Sequence, residues 1–128
     1  MLADHDAMPT LAVSDLTRAR QFYEEVLGFT PLGDVPDGVS YRAGSTSFLV
    51  YPSSFAGTNK ATAMSFQVPV DAFDAEVAAL RAQGIAFQTF EVEGITWDDG
   101  VASWGEGRSA WFEDTDGNIL NVETHAEG

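Results

Sequence analysis

No cysteine occurs among the 128 residues, which excludes disulfides, thiolate metal sites and cysteine nucleophiles together. Basic residues are scarce as well: six Lys and Arg stand against 20 Asp and Glu, a net charge of -14. Such a chain repels phosphate, so neither nucleic acid nor an anionic membrane is an expected partner. The surplus acid speaks first to solubility and second to attraction of a cationic ligand. Long apolar runs are also missing, and no window approaches the length of a membrane span. Met1 to Pro9 carries Asp4, His5 and Asp6 where a secretion leader needs a basic start and an apolar run. A cytoplasmic protein is the expectation.

What is present suits one globular domain spanning residues 1–128: 45% hydrophobic residues, with 12 Gly and 5 Pro to make turns. Asp15 is a good N-cap, and Leu16, Ala19, Phe22, Tyr23, Val26 and Leu27 recur at helical spacing until Gly28. A second helix is read from Asp71, through Phe73, Val77 and Leu80, to Gly84. The two capping acids and the two closing glycines are separated by the same number of positions, so the chain repeats itself.

Strand-like runs complete each copy. Pro9 to Val13 precedes the first helix, and Phe29 to Val35, Val39 to Arg42 and Thr46 to Tyr51 follow it. Met64 to Val68 precedes the second, followed by Ile85 to Val92, Arg108 to Glu113 and Asn118 to Thr124. Each half reads βαβββ, with module one at about 8–52, a linker at 53–62 and module two at about 63–124. Glu93 to Gly107 reads as a long glycine-punctuated loop. A fifty-residue unit has too little core alone, so the expected fold is α+β. The two modules share a curved mixed sheet that forms a cleft, with the helices outside.

Catalytic signatures are few: there is no phosphate-cradling glycine motif and no Gly-x-Ser-x-Gly elbow. The chain instead resembles the glyoxalase/bleomycin-resistance/extradiol-dioxygenase (vicinal oxygen chelate) superfamily. The resemblance rests on Val13-Ser14-Asp15-Leu16, on Ala19-Arg20-Gln21-Phe22-Tyr23 and Val26-Leu27-Gly28-Phe29, on Leu80-Arg81-Ala82-Gln83-Gly84-Ile85, and above all on Trp111-Phe112-Glu113-Asp114-Thr115-Asp116-Gly117-Asn118. It implies the two-module fold, a homodimer, and in catalytic members a divalent metal held by His, Glu or Gln facing the cleft. The equivalent positions here are Met8, Leu49, Ala63 and Asn121, of which only Asn121 offers an oxygen. A divalent ion usually needs at least three converging N or O donors, so no metal and no other cofactor is expected. Glu123 and His125, with His5, form the alternative of a displaced metal site.

Aromatic side chains supply the remaining signal. Tyr51, Phe87, Phe90, Trp97, Trp104 and Trp111 fall on strands or in the long loop, beside Asp98, Asp99 and Glu106. Buried core is the simpler reading for most strand aromatics, whereas Trp97 and Trp104 read as pocket. The function expected is metal-free binding of a planar organic molecule, cationic ones included, such as an antibiotic. Its site would be lined by Met8, Leu49, Ala63, Trp97, Trp104, Trp111 and Asn121. The alternatives are a lyase, isomerase or dioxygenase of the same superfamily with a displaced metal site, or one using Glu123, Asn121 or Arg108 for acid–base chemistry. A third is an interaction domain with a filled cleft.

Overall fold

The structure is a computed structural model that describes residues 1–35, 37–90, 92–105 and 107–124. It is α+β, with two mixed sheets and two helices. The chain divides into two compact units, one of Met1–Asn59 and Thr115–Asn118, the other of Lys60–Asp114 and Ile119–Gly128. Among the described residues no helix is long and apolar enough to cross a membrane.

The first unit contains β1 (Thr10–Val13), α1 (Leu16–Arg20) continued by a π-helical stretch Gln21–Val26, then β2 (Pro31–Val35), β3 (Gly38–Ala43) and β4 (Thr46–Pro52). Its sheet runs β1-β4-β3-β2, with β1 parallel to β4 and the other pairs antiparallel. Asp15 caps α1 as its position predicts, its side chain accepting from the Arg18 backbone N–H at 3.1 Å. The helix then widens: Leu27 N–H reaches Phe22 carbonyl five residues back at 2.9 Å. This wider turn carries Tyr23, which is fully buried and stacks on Tyr41 with ring centroids 5.8 Å apart. Phe48 and Phe29 close the cluster, while Leu11 and Val13 alternate inward from β1.

The Asp-Thr-Asp-Gly-Asn turn belongs to this same unit. Asp116 Oδ2 accepts from Ser14 N–H at 3.0 Å, Thr115 carbonyl accepts from Arg18 at 3.0 Å, and Asn118 Nδ2 donates to Ala12 carbonyl at 2.8 Å. The turn thus supplies hydrogen-bond partners to the β1–α1 junction, which gives these polar residues a structural role. Burial opposes charge on Asp116, yet the hydrogen bonds from Ser14 hold its carboxyl below the usual range.

The second unit contains β5 (Thr62–Gln67), a 3-10 turn Val70–Ala72, α2 (Phe73–Ala82), β6 (Thr96–Asp98), β7 (Val101–Trp104), β8 (Gly107–Glu113) and β9 (Ile119–Thr124). The sheet order is β5-β9-β8-β7-β6, with β5 parallel to β9. Three sequence expectations are corrected here. Asp71 lies in the 3-10 turn and Ala72 occupies the N-cap without a side-chain cap, so the helix starts later than the acid suggested. Ile85 to Val92 is not a strand in its described residues; it contributes one isolated bridge, Gln88 to Trp111. The presumed long loop instead holds the β6–β7 hairpin, so this unit has five strands and the loop tryptophans stand on strands.

The hairpin forms because Asp99-Gly100 is a two-residue turn with both central φ angles positive, 50° and 83°. Gly100 is required twice over, since a Cβ there would also lie 2.9 Å from the Phe87 side chain. From α2, Arg81 bonds both the Asp99 carboxylate and the Asp99 carbonyl, with its guanidinium 5.4 Å from the Phe87 ring centre. The turn is therefore tied to the helix by charge as well as by its own backbone.

Candidate functional site

The register of the second sheet decides which side chains share a face. Ser65 lies beside Asn121, Asn121 opposite Trp111, Ser109 opposite Ala102, and Ala102 opposite Trp97. Alternation therefore sets Trp97, Trp104, Trp111, Asn121 and Ile119 on one face. Met64, Leu120, Val122, Ala110 and Phe112 alternate to the other, and α2, whose Phe73 and Val77 are buried, packs against β9.

At one end of the open face three rings meet. Phe90 and Trp111 are edge to face with centroids 5.5 Å apart, Trp97 and Trp111 are 6.0 Å apart, and Phe90 and Trp97 are 6.3 Å apart. Trp111 is fixed from two sides: its indole N–H donates to Thr62 Oγ1 at 3.2 Å, and its carbonyl accepts from Gln88 N–H at 2.8 Å. The three rings line a groove of about 270 Å³ with Ile95, Ile119 and Lys60. Its rim is apolar and open to solvent, with Phe90 39% and Val92 55% exposed. An open depression that shares Phe90, Val92 and Trp97 with the groove is bordered by Thr89 and Glu93. Such a wall offers flat apolar surface with few polar groups to fix a ligand's orientation.

The other expected site residues are placed as follows. Asn121 is 4% exposed, and its Nδ2 donates to Ser109 Oγ at 2.7 Å. Its Oδ1 is buried with no hydrogen-bond partner among the described residues. Trp104 is half-buried at the far end of the face, its indole lying so close over Gly107 that a Cβ there would be 2.8 Å from the ring. Ala63 is the unpaired residue of an irregularity between Thr62 and Met64, next to the threonine that holds Trp111. Met8 and Leu49 belong to the first unit. Met8 is 45% exposed and borders a concavity with Leu32 and Arg42, and Leu49 is half-buried beside Thr10. Phe90, Ile95, Ile119, Thr62 and Lys60 were not among the expected site residues; only Phe90 carried a signal, as an aromatic.

Residues 4–122 match the sequence profile of the Glyoxalase/Bleomycin resistance protein/Dioxygenase superfamily. The chain belongs to this superfamily. No curated protein matches it. Solved structures with similar folds include the fosfomycin resistance protein FosX from Listeria monocytogenes, 17% identical over 95% of this chain and 93% of that one, with a TM-score of 0.68. TnmS3, an antibiotic binding protein from Streptomyces sp. CB03234, is 21% identical over 95% and 98%, with a TM-score of 0.61. A glyoxalase/bleomycin resistance protein/dioxygenase from Alicyclobacillus acidocaldarius is 16% identical over 95% and 93%, with a TM-score of 0.67. At these identities the likeness is one of fold.

The glyoxalase-superfamily metal positions can be tested on their own chemistry. Met8, Leu49 and Ala63 present carbon or a thioether, and Asn121 presents one neutral amide oxygen. That set does not fit a hard divalent ion, which takes several N or O donors. Among the described residues no three His, Asp or Glu side chains gather as a metal-ligand group. Of the displaced set, Glu123 accepts from Gln67 Nε2 at 2.8 Å, His5 is exposed in the first unit, and His125 lies outside the described residues.

Away from the groove, the first unit holds a charged relay. Arg20 Nε donates to Glu24 Oε2 at 2.8 Å, Tyr41 Oη donates to the same oxygen at 2.8 Å, and Arg20 reaches Asp34 at 2.9 Å. The hydrogen bond from Arg20 holds the Glu24 carboxyl below its usual range. Burial, with the nearby carboxylate, pushes the Tyr41 phenol far up. The relay joins the π-helical stretch to β3.

Proposed function

We propose that this protein binds a planar organic small molecule of the antibiotic kind on the aromatic wall of the second unit, without a resident metal. The observation that carries the reading is the meeting of Phe90, Trp97 and Trp111 around an open apolar groove. Three rings held within 5.5 to 6.3 Å of one another at a solvent-facing site leave flat surface without a partner among the described residues. Stacking a ligand there adds about 0.5–1.5 kcal/mol per aromatic contact beyond area burial. The antibiotic-binding function of TnmS3 and the fosfomycin-resistance role of FosX, both of similar fold, support an antibiotic as the class of ligand. Trp104 and Asn121, on the same face of the second sheet, and Ala63, beside Thr62, complete the proposed lining within this unit. A cytoplasmic homodimer belongs to the same proposal.

Two tryptophans in the wall make the test direct. Titration with planar antibiotics and dyes is expected to quench or shift tryptophan emission, and Trp97→Ala and Trp111→Ala are each expected to weaken binding by about tenfold. Unchanged affinity in both variants would contradict the reading.

A further inference from the structure

The chain has a single lysine, Lys60, and it lines the aromatic groove. Most other cations are committed elsewhere. Arg20 pairs with Glu24 and Asp34, Arg81 with Asp99, and Arg108 with Asp74, while Arg18 donates to Thr115 carbonyl. Lys60 has neither an ion pair nor a hydrogen bond among the described residues. Among the described residues no acidic side chain lines its groove. Glu93 borders the neighbouring depression, which shares Phe90, Val92 and Trp97 with the groove. Asp98 alternates with Trp97 along β6 and so leaves on the opposite face, and Asp99 is held by Arg81.

The chain's net charge of -14 favours a cation at long range, but in contact the order reverses. Salt screens exposed charges beyond about 8 Å at physiological ionic strength. A charge that meets the ligand at hydrogen-bond distance acts inside that length and sets the pose. Groove volume limits size: about 270 Å³ lies just under the roughly 300–1,000 Å³ of drug-sized pockets. Two fused rings with one small substituent suit that space.

We propose that the ligand of this groove is a small planar aromatic acid. Its carboxylate, sulfonate or phosphonate meets the Lys60 ammonium, and its rings lie along Phe90, Trp97 and Trp111. This rests on the binding role proposed above and names the chemistry of its ligand. The Thr62 hydroxyl oxygen accepts from the Trp111 indole, and its O–H remains as a second donor for the same anion.

A matched series separates this inference from the binding role itself. Tryptophan fluorescence would be titrated with 2-naphthoate, 2-naphthamide and 2-(aminomethyl)naphthalene, on the wild-type protein and on Lys60→Met. The wild type is expected to bind naphthoate about three- to tenfold more tightly than the amide, as an exposed charge-assisted contact allows. Lys60→Met is expected to erase that preference, and added salt to narrow it. Equal binding of all three probes, tighter binding of the amine, or a preference that survives Lys60→Met would overturn the anionic inference and leave the aromatic binding role standing. Failure of all three probes to bind would overturn both.

Discussion

The Trp111 indole N–H donates to Thr62 Oγ1 across the β5 end of the second sheet, at 3.2 Å. Trp111 is also the ring that Phe90 and Trp97 both contact, so this bond restrains the ring at the centre of the aromatic wall. Thr62→Val keeps the shape of the side chain and removes the acceptor. It is expected to lower ligand affinity about threefold while costing at most about 1 kcal/mol of stability, the net worth of an exposed neutral hydrogen bond. Parallel ligand titrations and urea unfolding check both halves; an affinity loss matched by a large loss of stability would point to general unravelling instead.

Trp97 is positioned from a distance by Arg81, which ties the Asp99-Gly100 turn to α2. Arg81→Ala is expected to leave the sheet folded, with about 1–2 kcal/mol lost from the ion pair and the Phe87 contact together. Amide hydrogen exchange in residues 96 to 104 is expected to speed up, and ligand affinity to fall because the wall is no longer held in its binding geometry. Exchange that stays at the wild-type rate would contradict the tie.

Much of this organisation is legible from the residues. The first helix, its Asp15 cap and the inward alternation of Leu11 and Val13 follow directly from side-chain periods and capping chemistry. The hairpin is a different matter. Asp99-Gly100 is the strongest short turn signal in its region, but the surrounding glycines favour a loop reading, and Ile85 to Val92 has the composition of a strand. Only Phe90 and Val92 of that segment line the groove among the described residues, and both are exposed. Trp97 and Trp111 stand among the site residues expected from the sequence, and the structure brings their rings within 6.0 Å of each other. Lys60 and Thr62 are not among them, because both fall in the apparent linker and only the register of β5 brings them to Trp111. The π-helical widening at Tyr23 likewise leaves no trace in a helical pattern and emerges from the packing of Tyr23 on Tyr41.

The Arg20–Glu24–Tyr41 relay gives the first unit an acid-sensitive element. The Glu24 carboxyl is lowered in the folded protein from an ordinary value of 4.5, first by the hydrogen bond from Arg20. Its contribution is therefore fully present above the unfolded value and is lost as pH falls through the lower folded value. Glu24→Gln is expected to destabilise the protein at pH 7, by about 1–2 kcal/mol for weakened charge-assisted bonds, and to flatten the fall in stability below about pH 4.5. Urea unfolding at pH 7 and pH 3 reads both effects; an unaltered acid slope in Glu24→Gln would remove the relay as its source.

The central claim is that the aromatic wall binds its ligand without help from a metal, the donor set at Met8, Leu49, Ala63 and Asn121 being unfit to hold one. The most direct test measures the Kd of one planar ligand by tryptophan fluorescence on protein stripped with a chelator, then again after adding Mn, Zn, Ni or Fe in turn, with bound metal assayed in each sample. The expected result is the same Kd throughout and no stoichiometric metal. Binding that vanishes on stripping and returns with one equivalent of a divalent ion would contradict the account.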